Sequence, residues 1–154
     1  MRVITPPHPL RLDPGERSVF LAGSIEMGSA EPWQGSVAEA LRDTGATILN
    51  PRRAAWDASW TQSIENAVFR EQVEWELTAQ ELATVVLMYF SPETRAPITL
   101  LELGLLARSG KLVVCCPPGF WRKGNVDVVC ARFVVEQVAT LDALAAAARR
   151  RLAR

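Results

Sequence analysis

Short apolar runs alternate along the chain with longer stretches that have helical spacing. The apolar runs predict strands at residues 18–23, 46–50, 84–90, 111–116 and 133–136. The stretches between and after them predict helices at residues 32–44, 64–83, 98–109, 125–132 and 141–152. Within the second helix, the spacing places four apolar side chains toward one side: Val68, Val73, Leu77 and Leu82.

Strands separated by helices of this length predict a parallel sheet with helices on both faces. We therefore expect an α/β fold, a Rossmann-like three-layer sandwich whose central parallel sheet has about five strands. Residues 85–90 and 112–116 lack polar alternation, so we expect residues 85–90 at the centre of the sheet and residues 112–116 near it. Ligands bind such sheets beyond the carboxyl ends of the strands, and these ends lie after Gly23, Asn50, Phe90 and Cys116.

The chain of 154 residues has room for one domain. Residues 1–17 include four prolines and predict a loose N-terminal arm, and residues 18–154 predict a single domain. No apolar run reaches the roughly 18 residues of a membrane span, and the start lacks the apolar stretch of a secretory signal. The three cysteines lack C-x-x-C spacing, which favours the reducing cytoplasm over a disulfide framework or a structural zinc site.

Charge and motif content exclude several classes of function. Lys plus Arg and Asp plus Glu both number 17, so no net charge favours nucleic acid or an anionic membrane as a partner. The single histidine, His8, lies in the proline-rich arm, which argues against a histidine-based nucleophile or metal centre. The P-loop and dinucleotide-binding glycine motifs are both missing. We therefore expect no metal and no cofactor, and chemistry carried by carboxylates, arginines, amides and aromatic side chains.

Glu102 is the only acid in the apolar stretch ITLLELGLLA. An ionised carboxylate in such surroundings is costly unless it has partners or a function. Two interpretations are open. In the first, Thr99 and Glu102 form a capping box at the start of the helix. In the second, Glu102 is a catalytic nucleophile at the carboxyl end of the strand at residues 84–90, kept ionised by the helix N-terminus.

A second acidic group precedes Glu102 in the stretch REQVEWELTAQE. Glu74 and Glu76 flank Trp75 on a predicted helix, so their side chains point in different directions and at most one faces a cleft. Glycoside chemistry needs two carboxyl groups, one acting as nucleophile or base and one as acid. Glu102 with Glu76 or Glu74 could supply that pair, and the alternative is that Glu74 and Glu76 belong to a solvated charged face.

Five segments together resemble a known family. They are FLAGSIE after the first strand, NPRRAAWDASW after the second, FREQVEWEL in the long helix, SPETRAPITLLELGLLARSGK around Glu102, and FWRKGNVDVV after the fourth strand. Over roughly residues 19–133 the chain resembles the nucleoside 2-deoxyribosyltransferase superfamily, and within it the nucleoside 2-deoxyribosyltransferase-like branch. The resemblance implies a flavodoxin-like Rossmann variant that acts on the N-glycosidic bond of deoxyribonucleosides or their monophosphates. It also implies a homo-oligomer, which we expect to be a dimer or a multiple of dimers.

The resemblance assigns roles to individual residues. Glu102 matches the family's nucleophilic glutamate in the ELG motif, which attacks the anomeric carbon of deoxyribose. Gly23, Ser24 and Ile25 match the loop that lines the sugar and base pocket, and Thr99 stands where the family has the threonine of a Gly-Thr pair. The segment after the fourth strand, with Asn125 and Asp127, would reach into a neighbouring protomer's pocket; the alternative is a polar surface loop without function.

Arginines and tryptophans follow the second predicted strand. Arg52 and Arg53 could bind a 5′-phosphate bidentately, or pair with nearby acids such as Asp57. Trp56 and Trp60 are four residues apart, and could form one aromatic wall on which a base stacks or could cover the core.

These observations support an enzyme that cleaves or exchanges the N-glycosidic bond, with Glu102 as nucleophile and Glu76 or Glu74 assisting the leaving base. The main alternative is a non-catalytic nucleotide-binding module that uses the same cleft. It is motivated by one departure from the family: where the family has a base-contacting aspartate near the end of the long helix, this chain offers Trp75 and Glu76. A structural domain that only forms oligomers is the third hypothesis.

Overall fold

The computed structural model describes residues 1–25, 32–53, 57 and 59–154. Six strands form one all-parallel sheet in the order β1-β3-β2-β4-β5-β6. The strands are β1 (Val3–Ile4), β2 (Ser18–Gly23), β3 (Thr47–Leu49), β4 (Val85–Tyr89), β5 (Leu112–Cys115) and β6 (Glu136–Val138). The described helices are α1 (Trp33–Ala40), α2 (Ala67–Leu82), α3 (Pro97–Leu106), α4 (Lys123–Phe133) and α5 (Leu141–Leu152), with a 3₁₀ turn at Arg42–Thr44.

β4 lies in the middle of the sheet, between β2 and β5. All five of its residues are buried, as are the four residues of β5. This agrees with their sequence, because a strand covered on both faces cannot alternate apolar and polar residues. The predicted central position of residues 85–90, with residues 112–116 beside them, is confirmed.

Helices cover both faces of the sheet, each over its own hydrophobic core. One core is built on α2, α3 and α4, with Ala79, Leu103 and Val126 packed against the sheet. The other is built on α1 and α5, with Trp33 and Leu144 as fully buried side chains. The three-layer α/β fold class predicted from the sequence is confirmed. Across the described residues, none of the helices combines the length and the apolar character that crossing a membrane requires.

Side-chain caps set the start of two helices. The Asn66 side chain accepts hydrogen bonds from the backbone N–H groups of Val68 and Phe69, so α2 begins at Ala67, later than the residue 64 predicted from spacing. The Thr140 hydroxyl accepts from the N–H of Ala143 and starts α5 where the sequence predicts it.

The N-terminal segment contributes to the fold, which corrects the expectation of a loose arm over residues 1–17. Val3 and Ile4 form the edge strand β1 beside β3, and Ile4 is buried in the core under α2. The indole N–H of Trp75 donates to the His8 carbonyl at 2.8 Å. The sheet therefore has six strands where about five were expected, because a two-residue strand is too short to produce a pattern in the sequence.

The strand predicted at residues 133–136 lies further along the chain, at Glu136–Val138. Phe133 is the last residue of α4, and Val134 ends that helix in the left-handed conformation with φ 56°. A left-handed residue at this point is the ordinary way to stop a helix, although glycine usually supplies it.

Helix α2 does not bury the four apolar side chains that the sequence places toward one side. These side chains are partly exposed: Val68 at 38%, Val73 at 36%, Leu77 at 37% and Leu82 at 47%. The buried side chains are those of Gln72, Trp75, Ala79 and Gln80. Two buried glutamines need hydrogen-bond partners, and their side-chain amides find them on Glu76, Glu102 and the Pro51 carbonyl.

Candidate active site

Glu102 lies inside α3, which starts at the carboxyl end of the central strand β4. Pro97 is the first helical residue, and Ala96 before it adopts a left-handed conformation with φ 43°. Glu102 is thus the sixth residue of α3, and its side chain is buried. Thr99 is buried inside the helix and does not cap it. The capping-box interpretation of Thr99 and Glu102 is therefore wrong.

A stripe of three polar side chains on α2 faces this part of the molecule. Gln72, Glu76 and Gln80 are spaced four residues apart, which places them on one side of the helix. Gln80 Nε2 donates a hydrogen bond to Glu102 Oε1. Gln72 Nε2 donates to Glu76 Oε1 at 2.7 Å and to the carbonyl of Pro51, directly after β3, at 3.0 Å. We call these three residues with Glu102 the amide–acid cluster.

Both carboxyl groups of the cluster hold their protons more tightly than an exposed glutamate. Burial, together with the nearby charge of Glu76, raises the pKa of Glu102 to about 8, and the hydrogen bond from Gln80 acts in the opposite direction. Burial raises the pKa of Glu76 to about 7, again opposed by its amide partner Gln72. The expectation that the helix N-terminus keeps Glu102 ionised is therefore wrong, because a residue in the second turn gains little from the helix dipole.

The structure distinguishes the two acids that flank Trp75. Glu74 is exposed, and its helical neighbour Thr78 donates only to the Glu74 backbone carbonyl. Glu76 is partly buried, and its charge acts on Glu102. Of the two acids proposed from the sequence, Glu76 is the one in a position to act together with Glu102.

The segment Gly23, Ser24 and Ile25 lies at the carboxyl end of β2, whose last residue is Gly23. A Cβ on Gly23 would approach the carbonyl oxygen of Tyr89 to 2.4 Å, and Gly23 has φ 147°, so a residue with a side chain cannot replace it. The buried Ser24 hydroxyl accepts from the N–H of Ser91 at 3.1 Å and lies 2.7 Å from the hydroxyl of Thr94. These contacts tie the loop after β2 to the loop that leads into α3, and Ile25 is half-buried beside them.

Arg52 and Arg53 follow β3 and lie near the start of the α2 stripe. Arg53 pairs with Glu71 at 3.5 Å and stacks 5.2 Å from the ring centre of Trp60, so its acid partner is Glu71 and not the expected Asp57. Within the described part of the chain, the buried Nη1 of Arg52 has no hydrogen-bond partner. Trp56 lies outside the described residues.

Asn125 and Asp127 lie on α4, whereas the sequence placed them in a loop at a strand end. Asp127 accepts hydrogen bonds from Lys123 and Gln137, both at 2.9 Å, which lower the pKa of its carboxyl. Asn125 faces a cavity of about 320 Å³ between α3 and α4, lined by Leu100, Leu103, Gly104, Arg122, Asn125, Val126 and Val129. Glu102 and Glu76 do not line this cavity, so the structure does not bring Asn125 or Asp127 to the amide–acid cluster within one chain.

Sequence reasoning missed Gln72 and Gln80. A signal was present, since amides and an acid recur every four residues along α2. That spacing alone is typical of a solvated helix face, and only the contact with Glu102, 22 residues further on, gives it a function.

A solved structure has the same overall arrangement. The protein described as "Crystal structure of conserved protein from Enterococcus faecalis V583" aligns with a TM-score of 0.60, covering 88% of this chain and 99% of that chain at 13% sequence identity. An identity this low supports a shared fold only. Together with the single parallel sheet, it defines a flavodoxin-like Rossmann variant.

A family model places the chain more narrowly. Residues 16–120 match the family described as nucleoside 2-deoxyribosyltransferase like, and the chain belongs to this family. The matched segment contains both Glu76 and Glu102, and it ends before Asn125 and Asp127. No curated protein matches the chain in sequence.

Proposed function

We propose that this protein cleaves or exchanges the N-glycosidic bond of a 2-deoxyribonucleoside or its 5′-monophosphate, with Glu102 as the nucleophile. The observation that carries the proposal is a pair of carboxyl groups on the facing helices α2 and α3, the buried Glu102 and the partly buried Glu76, each held by an amide of α2. Helix α3 starts at the carboxyl end of β4, the side of the sheet where this fold class binds ligands. Membership of a nucleoside 2-deoxyribosyltransferase-like family supports the class of substrate.

The two carboxyl groups match the two roles that retaining glycosyl transfer requires. Glu102 Oε2 attacks the anomeric carbon while the bond from that carbon to the base nitrogen breaks and its electron pair stays with the base. Protonated Glu76 gives its proton to the leaving base. Water or a second base then attacks the same carbon and releases Glu102 as a carboxylate. The proton that the attacking water or base loses goes to Glu76 and restores it. The raised pKa of Glu76 suits the acid role near neutral pH.

Glu102 must lose its proton before it attacks, and burial opposes this because it raises the pKa of Glu102 to about 8, above that of Glu76. The same observation favours a second candidate function, a nucleotide-binding module that does not catalyse, because a protonated carboxyl is a poor nucleophile. Calorimetric titration with deoxynucleosides and deoxynucleotides, run beside the activity assay, separates the two functions. Binding of a nucleoside or nucleotide with no release of free base supports the nucleotide-binding module.

Arg52 supports a monophosphate as the better substrate. Its buried guanidinium nitrogen, without a partner among the described residues, belongs to the residue after Pro51, whose carbonyl accepts a hydrogen bond from Gln72 of the amide–acid cluster. A phosphate would supply the missing acceptor, and arginine binds phosphate bidentately. Comparing kcat/KM for a deoxynucleoside and its 5′-monophosphate, in the wild type and in Arg52→Gln, tests this assignment. An equal preference in both proteins contradicts it.

We also propose that the protein works as a homo-oligomer, a dimer or a multiple of dimers. Apolar side chains are exposed on the outer surfaces of two neighbouring helices: Val73 and Leu77 on α2, and Ile98, Leu101 and Leu105 on α3, the last three at 59–61%. Contiguous exposed apolar surface is typical of protein contacts. Light scattering that returns the 17.0 kDa of a single chain over a wide concentration range contradicts the proposal.

Chromatography of wild-type protein incubated with a panel of deoxynucleosides and their monophosphates tests the main proposal, because free base must appear. A slow 2-fluorinated substrate should leave a sugar adduct, which mass spectrometry of peptides locates on Glu102. An adduct on a different residue, or base release without dependence on Glu102, is the result that overturns the assigned nucleophile.

A further inference from the structure

Gln80 is a polar residue at a buried position of α2, where an apolar side chain would be expected. It lies in the last turn of α2, is 3% exposed, and faces the core under α2 and α3. A buried amide is costly unless its hydrogen bonds are made. Its Nε2 donates to Glu102 Oε1, on a different helix and 22 residues away in the chain.

We propose that Gln80 is the positioning residue for the nucleophile: it holds Oε1 of Glu102 and leaves Oε2 as the oxygen that attacks. This inference rests on the proposed function. Within the described residues, Gln80 is the hydrogen-bond partner of the Glu102 carboxyl, and Oε2 takes no bond. A carboxylate fixed through one oxygen has one orientation, and attack then requires no rotation of the side chain.

An amide is well suited to this position. Its N–H donates to a carboxylate in every protonation state, whereas a third acid would add a like charge beside Glu76 and Glu102. The donated bond stabilises the ionised form of Glu102, and so opposes the burial and the charge of Glu76 that favour its proton. In the described part of the chain, Glu76 is the one charged group that acts on Glu102.

Gln72 shows what the same side chain does at the other end of the stripe. Its Nε2 is shared between Glu76 and the Pro51 carbonyl, so it fixes the acid to the end of β3. Gln80 holds the nucleophile through its contact with α3. One face of α2 therefore sets the spacing between the two carboxyl groups.

The test is Gln80→Met, which keeps the length and most of the volume of the side chain and removes the donor. Thr78→Ala on the exposed side of the same helix is the matched control. We expect kcat to fall about tenfold or more with KM changed less than about threefold, since the loss affects the orientation of a reacting group and not binding. The acid limb of the kcat/KM profile should move up by about one pH unit, the size expected for one lost hydrogen bond to a carboxylate.

A second readout does not depend on turnover. The Glu102 carboxyl is followed by carbon-detected NMR during a pH titration, and its signal is identified by its absence in Glu102→Gln. An unchanged midpoint in folded Gln80→Met overturns the inference, as does an unchanged kcat. If Gln80→Met does not fold, Gln80→Asn, which keeps the amide but shortens its reach, is measured in its place. A wild type that releases no base contradicts the proposed function, while the titration still decides whether Gln80 controls Glu102.

Discussion

Helices α2 and α5 cover opposite faces of the same sheet and differ in the kinds of side chain that they bury. In α5, Leu144, Ala148 and Leu152 are buried, and Arg149 and Arg150 lie on the surface. In α2, Gln72 and Gln80 are buried, and Val73 and Leu77 are partly exposed. The α5 arrangement is the one that burial of apolar surface alone produces. Helix α2 buries Trp75 and Ala79 in the same way, but its two buried amides depart from this arrangement and make the contacts on which the proposed function rests.

The largest effect should come from Glu102→Gln. We expect kcat to fall roughly 10³- to 10⁵-fold, as for the loss of a catalytic nucleophile. The melting temperature at pH 8 should stay level or rise, because the amide removes a buried carboxyl whose ionisation is unfavourable there. Activity assays and thermal unfolding of the same preparation measure both.

Glu81→Gln, an exposed acid near the end of α2, is the control for Glu102→Gln and should leave both quantities unchanged. Near-normal turnover combined with a lower melting temperature in Glu102→Gln would make Glu102 a structural residue. The difference between the buried side chains of α2 and α5 would then have a structural explanation and not a catalytic one.

Leu144→Ala tests the α5 side of the comparison. Leu144 is fully buried in the core under α1 and α5, so truncation should cost about 2–5 kcal/mol in the free energy of unfolding. The amide–acid cluster lies on the opposite face, and kcat at a temperature where the variant is folded should change less than about twofold. Chemical denaturation and steady-state kinetics give the two numbers. A large loss in kcat would show that the two faces are coupled.

The pH dependence of stability should arise from the α2 side. The pKa values of Glu76 and Glu102, about 7 and about 8, lie above those of the unfolded chain. The folded protein therefore binds more protons than the unfolded chain between about pH 4.5 and 8, and the free energy of unfolding falls as the pH rises through that window, by on the order of a few kcal/mol.

Thermal unfolding from pH 4.5 to 9 measures this slope in the wild type and in the double variant Glu76→Gln with Glu102→Gln. The slope should be much weaker in the double variant, which cannot take up or release these protons. An equal slope in both proteins would assign the pH dependence to other groups.

The smallest effect should come from Arg149→Ala. Arg149 pairs with Asp43 on the surface, where both side chains are well exposed to water. Water and salt screen such an ion pair, so we expect a loss of stability close to the resolution of the measurement, which shrinks further in high salt. Urea unfolding at low and high ionic strength measures it. A loss as large as that of a core truncation would mean that the contact of Arg149 with the Ala40 carbonyl matters more than its charge.

Much of this fold could be predicted because buried parallel strands are continuous apolar runs. The apolar runs of β4 and β5 can be recognised as strands from the sequence alone, and parallel neighbours require a helix in the connection between them. β1 could not be found, since its two residues are held by backbone pairing with Ile48 and Leu49, which leaves no periodic signal.

The candidate site was predictable in part, for a different reason. An acid such as Glu102 within an apolar helix stands out in any sequence, whereas its protonation state depends on a helix that begins at Pro97 and on an acid in another helix. The buried face of α2 could not be read from its valines and leucines, because two of the side chains that it buries are amides. Gln80 can be buried because its amide donates a hydrogen bond to Glu102, and that contact exists only in the folded chain.

The two edges of the sheet limit how copies of this chain can come together. β1 at one edge has two residues and is followed closely by Pro6 and Pro7, which cannot donate to a further strand. β6 at the other edge has three residues, and its Glu136 pairs with Arg150 and Arg151. Short edge strands flanked by proline or charged side chains resist pairing with a strand of another chain, and hence amyloid-like growth. Association of copies is left to the helical surfaces, where it can end in a closed, symmetric particle.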